Sequence, residues 1–230
     1  MKDPEAHEII QQFHARLHEK IYPCVAAHHA ADQGNIHCMV ADHMACPRQD
    51  NEILQFIYGF TDTLRKSPAE FQSAVILFKA PKTPDESAFD AMFWSRLQAL
   101  SDLDSMQYGY DPRVDKHIDS PKFSYSLKEE AFYIIGLHPA SSRLARQFPL
   151  PAMVFNAHAQ FEKLRHENRY TKMQQLVRKR DLAYSGSVNP MLSDFGESSE
   201  VFQYSGRRHE SDWECPLILR HASNGDHTTS

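Results

Sequence analysis

The spacing of apolar side chains along the chain predicts an alternation of helices and strands. In several long stretches the apolar residues recur every three or four positions, which is the periodicity of an amphipathic helix. In the first of them, Ile9, Phe13 and Leu17 share one helical face. On this pattern and the capping signals beside it we predict helices over 5–20, 51–64, 83–103, 159–167 and 170–183.

Shorter apolar runs predict strands. Residues 73–79 and 151–156 are buried strands by length and composition, 36–41 is a short strand, and 123–127 and 131–137 form a hairpin. Turn dipeptides such as Asp111-Pro112 make 104–120 a long loop. No repeat or linker divides the chain. We therefore predict a single α+β domain over 1–220, a mixed β-sheet flanked by helices, and a disordered polar tail over 221–230.

Composition and charge narrow the class of protein. The 230 residues are 41% hydrophobic and 24% charged, as in an ordinary globular domain. Lys and Arg number 25 against 30 Asp and Glu, so no excess of positive charge exists to bind a nucleic acid. No apolar run approaches the roughly 20 residues of a membrane span. The polar N-terminus and the four cysteines predict a cytoplasmic protein with reduced thiols.

Histidine and cysteine are crowded near the N-terminus. Seven of the 14 histidines and three of the four cysteines lie within residues 1–46. Thiolate and imidazole are zinc ligands, but no C-x2-C or H-x3-H pair is present. His37 and Cys38 are adjacent, so on a strand they point to opposite faces. The spacing favours solvated histidines and buried thiols over a zinc site.

Three other groups of residues carry candidate chemistry. His138 and His158 each follow an apolar strand, where a sheet presents functional side chains, although ordinary loop histidines occur there too. Arg143 and Arg207 belong to a set of arginines suited to bind carboxylates, of a ligand or in surface salt bridges. The polar and aromatic segment 189–207 is typical of a loop over a pocket, and its carboxylates are suited to a cationic substrate.

Several familiar signatures are missing from the sequence. It contains no G-x-G-x-x-G, P-loop, G-x-S-x-G or H-E-x-x-H motif. The absence of C-x2-C-H excludes covalently attached haem but not haem held without a covalent bond.

Five motifs, in order along the chain, resemble the YqcI/YcgG family, and the resemblance spans roughly residues 22–217. The motifs are Gly136-Leu-His-Pro-Ala-Ser-Ser-Arg143, Val154-Phe-Asn-Ala-His-Ala-Gln-Phe161, Asn189-Pro-Met-Leu-Ser-Asp-Phe-Gly196, Gln203-Tyr-Ser-Gly-Arg207 and Trp213-Glu-Cys-Pro216. This family is similar to, and includes, GntA-like haem-dependent enzymes that N-hydroxylate guanidine groups of arginine or arginine-derived metabolites.

The resemblance implies a monooxygenase that contains haem b. Tyr22-Pro-Cys-Val25 resembles the aromatic-Pro-Cys-Val motif of the family, so Cys24 is the first candidate for the iron ligand. A thiolate ligand promotes the O–O cleavage that hydroxylation needs. Cys215 is the second candidate, and His138 or His158 is the ligand if the iron is bound by imidazole.

The same resemblance implies roles for the remaining candidates. His138 or His158 lies near the haem face or a propionate, and Arg143 and Arg207 neutralise the propionates. Asn156, Asp194 or Glu197 faces the substrate, for which a carboxylate is the natural partner of a guanidinium. The expected partners are a small molecule with a guanidine or amine group, O2, and a separate electron-donor reductase, because the chain carries no flavin, nicotinamide or iron–sulfur motif.

The chain also departs from the family pattern. Cys24-Val-Ala-Ala-His28 stands where the family continues Cys-Val-Gly-Ala-Lys, and Tyr110-Asp-Pro112 stands where it has Trp-Asp-Pro. If these positions line the pocket, we expect a substrate other than arginine. Two alternatives stay open at this point. One is a haem-binding or gas-sensing protein without turnover, and the other is a non-haem iron enzyme that uses His138, His158 and Asp194 as a facial triad.

Overall fold

A five-stranded mixed sheet with helices on both faces forms the core of the computed structural model, which describes residues 3–66, 71–82, 85–186, 198–210 and 212–221. The strands are β1 (Ile36–His43), β2 (Ser73–Ala80), β3 (Tyr125–Leu127), β4 (Glu130–Leu137) and β5 (Ala152–Ala157). The helices are α1 (Pro4–Leu17), α2 (Val25–Asp32), α3 (Asp50–Lys66), α4 (Glu86–Asp104), α5 (His158–His166), α6 (Tyr170–Ser185) and α7 (Val201–Tyr204).

The strands lie in the order β1-β2-β5-β4-β3, and the last strand in the chain is the centre of the sheet. β1 and β2 are parallel, so the chain between them crosses over through α3. β5 inserts antiparallel between β2 and β4. β4 also pairs with β3 in a hairpin whose two turn residues, Lys128 and Glu129, have φ of 53° and 54°.

Alternate residues of each strand point to opposite faces, and the two faces have separate hydrophobic clusters. One face packs against α3 and α4; we call it the packed face, and Ile76, Phe155 and Ile134 belong to it. The other face carries Val75 and Leu77 and packs against α1 and the chain that follows it. We call it the cavity face, for the reason given below.

Local sequence signals explain where several helices begin and end. Asp3 caps α1 by accepting a hydrogen bond from the amide of Glu5. Asp85 caps α4 in the same way, with its Oδ1 2.7 Å from the amide nitrogen of Ala88. α6 ends at Gly186, whose φ of 74° suits a residue without Cβ.

The predicted fold class is confirmed, and every predicted strand and helix is present with its ends shifted by a few residues. The structure adds α2 and the four-residue α7. α2 has alternating alanines and histidines and no apolar stripe, so periodicity does not indicate it. In the part of the chain that the structure describes, no helix is both long and apolar enough to cross a membrane.

The C-terminal segment packs on the domain as far as its last described residue. His221 is buried, and its Nε2 lies 2.9 Å from Oδ2 of Asp104, which also accepts the Tyr58 hydroxyl at 2.7 Å. Residues 222–230 of the predicted tail lie outside the described residues.

Candidate ligand cavity

The cavity face is not filled. Between the sheet and helices α1, α2, α5, α6 and α7 lies a cavity of about 230 Å³. Its floor is made by β2, β5 and β4, and its walls carry mostly apolar and aromatic side chains. Such concave, largely apolar sites with a few polar groups are the usual form of a small-molecule site. The polar groups and the thiol described next give this cavity its chemistry.

Strand pairing places polar residues at one end of the cavity floor and apolar residues at the other end. Ser73, Asn156 and Tyr133 pair across three strands and form a polar row. The Ser73 hydroxyl donates to Oδ1 of Asn156 at 2.7 Å, and Nδ2 of Asn156 donates to the Tyr133 carbonyl at 3.2 Å. The next row toward the other end of these strands, about 7 Å away, contains only Val75, Val154 and Ile135.

Cys24 lies in the wall at the N-terminus of α2. It is the N-cap residue of that helix, is half-buried, and packs against the apolar cluster of the cavity face. Burial raises the pKa of the Cys24 thiol, while hydrogen bonds from the amides of Ala27 and Ala26 and the charge of Arg146 act in the opposite direction. Amides at a helix N-terminus favour a thiolate, but the effect of burial is larger here, and the net pKa of Cys24 is raised.

Glu200 lies at the polar end of the cavity, just before α7. Its residue is only 6% exposed, and its Oε2 accepts a hydrogen bond from the Tyr204 hydroxyl at 3.0 Å. Burial raises the pKa of Glu200 to about 7, although the hydroxyls of Tyr204 and Ser124 stabilise its charge. Burial disfavours the charged form of any carboxyl. Glu200 therefore changes charge near neutral pH.

His158 is the nearest basic group to Glu200. Its Nδ1 lies 3.8 Å from Oε1 of Glu200, and its Nε2 lies 3.2 Å from Oε1 of Glu162. Burial lowers the pKa of His158, an effect only partly opposed by the charge of Glu162. His158 is thus a neutral imidazole around pH 7, and it adds no full positive charge beside Glu200.

The short helix α7 is held in place by a buried arginine. Arg146 donates to the carbonyls of Gln203 at 2.9 Å, Tyr204 at 3.3 Å and Gly136 at 3.2 Å. Cations suit the C-terminal carbonyls of a helix. The Tyr133 hydroxyl also donates to Oε1 of Gln203 at 2.6 Å. These bonds fix α7 against β4 and thereby position Glu200.

The structure brings two of the predicted site residues together. Cys24 and Asn156 line the same cavity. Asn156 already uses its oxygen and one N–H in the bonds across the floor. Asp194 and Glu197 lie outside the described residues.

The other predicted site residues lie elsewhere. Arg143 pairs with the buried Asp181, with Nη2 2.5 Å from Oδ2. Arg207 lies 3.5 Å from Asp90 of α4, on the far side of the sheet. His138 stacks on Phe89 with ring centroids 4.2 Å apart, and burial lowers its pKa. Neither ring nitrogen of His138 has a hydrogen-bond partner in the described part of the chain.

His138 and His158 lie at opposite ends of the sheet. β4 and β5 are neighbours, as the sequence suggested, but they are antiparallel. Leu137, before His138, pairs with Ala152 at the start of β5, whereas Ala157, before His158, ends that strand. The two positions are therefore roughly 17 Å apart along the strand. They do not bind one metal ion together in this fold.

The cysteines divide between the two faces. All four lie in the described ranges, and among them Cys24 alone lines the cavity. Cys215 packs against the cluster of the packed face, and burial raises its pKa to about 12. Cys38 packs on the cavity face, while His37 lies 5.3 Å from the Phe60 ring on the packed face. The predicted opposite orientations of His37 and Cys38 are confirmed.

The described residues contain no group of three or more metal-binding side chains, so the crowding of histidine and cysteine over 24–46 produces no such cluster.

Sequence reasoning missed Glu200 and one cavity arginine, Arg165, whereas Arg178 belongs to the set of arginines predicted to bind carboxylates. Segment 189–207, predicted to cover a pocket, includes Glu200 but gives no reason to single it out. The spacing of Glu200 and Tyr204 by four residues was the available signal, since it brings the two side chains together on one helical turn. Nothing in the sequence pattern distinguishes Arg165 from the surface cations of α5.

Comparison with known proteins identifies a family. Residues 13–218 match the model of the YqcI/YcgG family. No curated protein and no solved structure matches the chain.

Proposed function

The chain belongs to the YqcI/YcgG family, and from this membership and the cavity we propose that it is a haem-dependent monooxygenase. In this proposal it N-hydroxylates a guanidine or amine group of a small, arginine-like metabolite. The observation that supports it most directly is the position of Cys24. Its thiol lines an apolar cavity, at a helix N-terminus, on the same face of the sheet as the buried carboxylate of Glu200.

The chemistry of the cavity residues fits haem b. An apolar slot, one thiol and arginines are the groups that hold the macrocycle, the iron and the propionates in haem–thiolate proteins. Cys24 stands at the N-terminus of α2, a position that favours a thiolate, and a bound metal ion deprotonates a coordinating thiol. A volume of about 230 Å³ is below the roughly 300–1,000 Å³ of typical ligand pockets. The cavity alone does not enclose a haem, so the proposal rests on the chemistry of the residues that line it.

The residues of the chain then take separate roles. Cys24 would hold the iron, and the valines and isoleucine of the floor would exclude water from it. Arg165 and Arg178 line the cavity and would meet the propionates, the role predicted for Arg143 and Arg207. When bound, haem would supply the activation of O2.

N-hydroxylation also needs reactants that this chain does not supply. One oxygen atom of O2 enters the substrate and the other leaves as water, which requires two electrons and two protons from outside. We propose a separate reductase as the electron donor, because the sequence has no flavin, nicotinamide or iron–sulfur motif. The cytoplasm is the proposed compartment.

Absorption spectra of the haem-loaded protein test the proposal. We expect the full chain to take up hemin and, after reduction under carbon monoxide, to show the Soret band of thiolate ligation. Cys24→Ser should lose that band, because a serine oxygen does not replace the thiolate. Cys215→Ser is the matched control and should keep it, since Cys215 lies on the packed face.

Two outcomes would contradict the proposal. One is a chain that takes up no hemin, and the other is a thiolate spectrum that survives Cys24→Ser. Turnover needs its own measurement. The same spectrum without O2 consumption in the presence of guanidines and a reductant would indicate a haem-binding or gas-sensing protein.

A further inference from the structure

The polar end of the cavity contains a buried carboxyl group, on which the charge of Arg165 acts from beyond ion-pair distance. Glu200 is 6% exposed. Among the residues that the structure describes, no lysine or arginine lies within ion-pair distance of its carboxylate, and His158 at 3.8 Å is the one basic group that does. Isolated buried carboxylates are costly, so they are normally paired with a cation or protonated.

Aromatic rings surround this end of the cavity. Tyr133 and Phe161 both line it, with ring centroids 6.2 Å apart at an interplanar angle of 73°. The Tyr133 hydroxyl bonds to Gln203, which lies on the same short helix that follows Glu200. Tyr204 contacts both sides of this arrangement, with its ring 5.7 Å from that of Tyr133 and its hydroxyl on Glu200. Aromatic faces attract organic cations.

We propose that Glu200 binds the positively charged group of the ligand, beside the rings of Tyr133 and Phe161. Oε2 of Glu200 is occupied by the Tyr204 hydroxyl, so Oε1 accepts the N–H of the cation. A flat guanidinium suits this site because it donates in its plane and stacks on aromatic rings with its face. The choice of ligand rests on the proposed function, but the recognition itself does not require haem.

The charge state of the surrounding groups supports this assignment. With a pKa of about 7, Glu200 exchanges its proton readily at neutral pH, and a bound cation would hold it in the ionised form. Burial lowers the pKa of His158, so that imidazole does not compete with the ligand as a cation. Glu162 lies on the other ring nitrogen of His158 and is half exposed, outside the cavity lining.

A pair of isosteric ligands tests the proposal on the full chain. Butylguanidinium and butylurea have nearly the same shape, but only the first is charged. By calorimetric titration at pH 8 we expect butylguanidinium to bind at least tenfold more tightly than butylurea. A hydrogen bond between charged groups in a buried site accounts for a ratio of this size. This comparison needs no variant, so it tests the proposal even if a substitution prevents folding.

Substitutions then assign the effect to the residue. Glu200→Gln should weaken butylguanidinium binding at least tenfold and leave butylurea binding unchanged. Glu167→Gln, the control, removes a carboxylate at the end of α5 that pairs with Arg169 outside the cavity lining, and it should leave both affinities unchanged. Equal affinities of wild type for the two ligands, or full butylguanidinium affinity in Glu200→Gln, would overturn the proposal. A chain that binds the cation through Glu200 but takes up no hemin would reject the proposed function and leave this inference standing.

Discussion

The same strands build two unlike faces. On the packed face, large aromatic side chains are fully buried between the sheet and the helices α3 and α4; they include Phe78, Phe93, Phe132 and Phe155. On the cavity face, the intervening residues Val75, Ile135 and Val154 are smaller and border open space. Because successive residues of a strand point to opposite faces, the side chains of one face can differ in size from those of the other face. One face can therefore be filled while the other stays open.

The difference follows from side-chain size and from the helices above each face. Each buried aromatic residue removes about 150–250 Å² from water, so the packed face carries most of the hydrophobic stabilisation. The cavity face is covered by α2, rich in alanine, and by α6, which has a single buried residue, Asp181. Weak packing there leaves the volume that a ligand needs. The comparison assigns stability to one face and binding to the other.

Truncation of neighbouring residues on β4 tests this assignment most strongly. Ile134 is fully buried on the packed face, whereas Ile135 lines the cavity and is only partly buried. We expect Ile134→Ala to lower the free energy of unfolding by about 2–5 kcal/mol, because it removes contacts and leaves a void. Ile135→Ala should cost about 1 kcal/mol, since open space already borders that side chain. Urea unfolding of the chain without haem measures both.

The pair is its own control, because both changes affect the same residue type on adjacent positions of one strand. Equal losses of stability would show that the cavity face is packed as tightly as the other. Binding should respond in the reverse order. Ile135→Ala is expected to alter butylguanidinium affinity more than Ile134→Ala in the fraction of protein that remains folded.

The pH dependence of stability gives the second test, because Glu200 is the buried acid of the cavity face. Its pKa is about 7 in the folded protein and about 4.5 in the unfolded chain. The folded state therefore keeps its proton at pH values where the unfolded state has lost it. Stability contributed by the protonated group is present below pH 4.5 and is lost as the pH rises through 7, by about 3 kcal/mol in total.

Glu200→Gln should remove this loss, because glutamine stays neutral. The variant is expected to match wild type near pH 4.5 and to be more stable by about 3 kcal/mol at pH 8, measured by urea unfolding across that range. Glu167→Gln, which changes a partly exposed carboxylate at the end of α5 that pairs with Arg169, serves as the control and should follow the wild-type profile. A constant difference between Glu200→Gln and wild type at every pH would contradict the expectation.

The fold was largely predictable because its signals are local. The periodicity in α1 and α3 and the apolar run of β2 need only a few residues of context. The position of β5 between β2 and β4 is different, since strand order depends on contacts between distant segments. The strand order determines where His138 and His158 lie. The antiparallel pairing of β4 and β5 places the two histidines at opposite ends of the sheet. A local pattern contains no information on that direction.

The candidate site was predictable only where a motif marks a residue. Cys24 and Asn156 were both singled out through the resemblance of their motifs to the family. Glu200 depends on burial and on the Tyr204 hydroxyl, which only the folded chain brings together. Arg143 was singled out from the sequence, but the fold gives it a different partner from the predicted one. The sequence shows its capacity to bind a carboxylate, and the fold determines that this carboxylate is Asp181.

Enlarging one alanine on each face gives the last and smallest expected effect. Ala74 is fully buried among the aromatic residues of the packed face, whereas Ala27 of α2 lines the cavity. Ala74→Leu should destabilise the protein by about 1–3 kcal/mol, because a filled core does not accept extra methylene groups without strain. Ala27→Leu should change stability by no more than about 0.5 kcal/mol, since the added atoms enter open space within a helix.

The same two variants test whether the volume beside α2 is open to a ligand, in contrast to the filled volume around Ala74. Ala27→Leu fills part of the cavity near Cys24, so it should reduce hemin uptake at nearly unchanged stability. Ala74→Leu should retain uptake in its folded fraction despite lower stability. If instead Ala27→Leu strains the chain as much as Ala74→Leu does, the cavity has no free volume beside α2. The haem would then have to bind elsewhere. The assignment of stability to the packed face and of binding to the cavity face would be wrong.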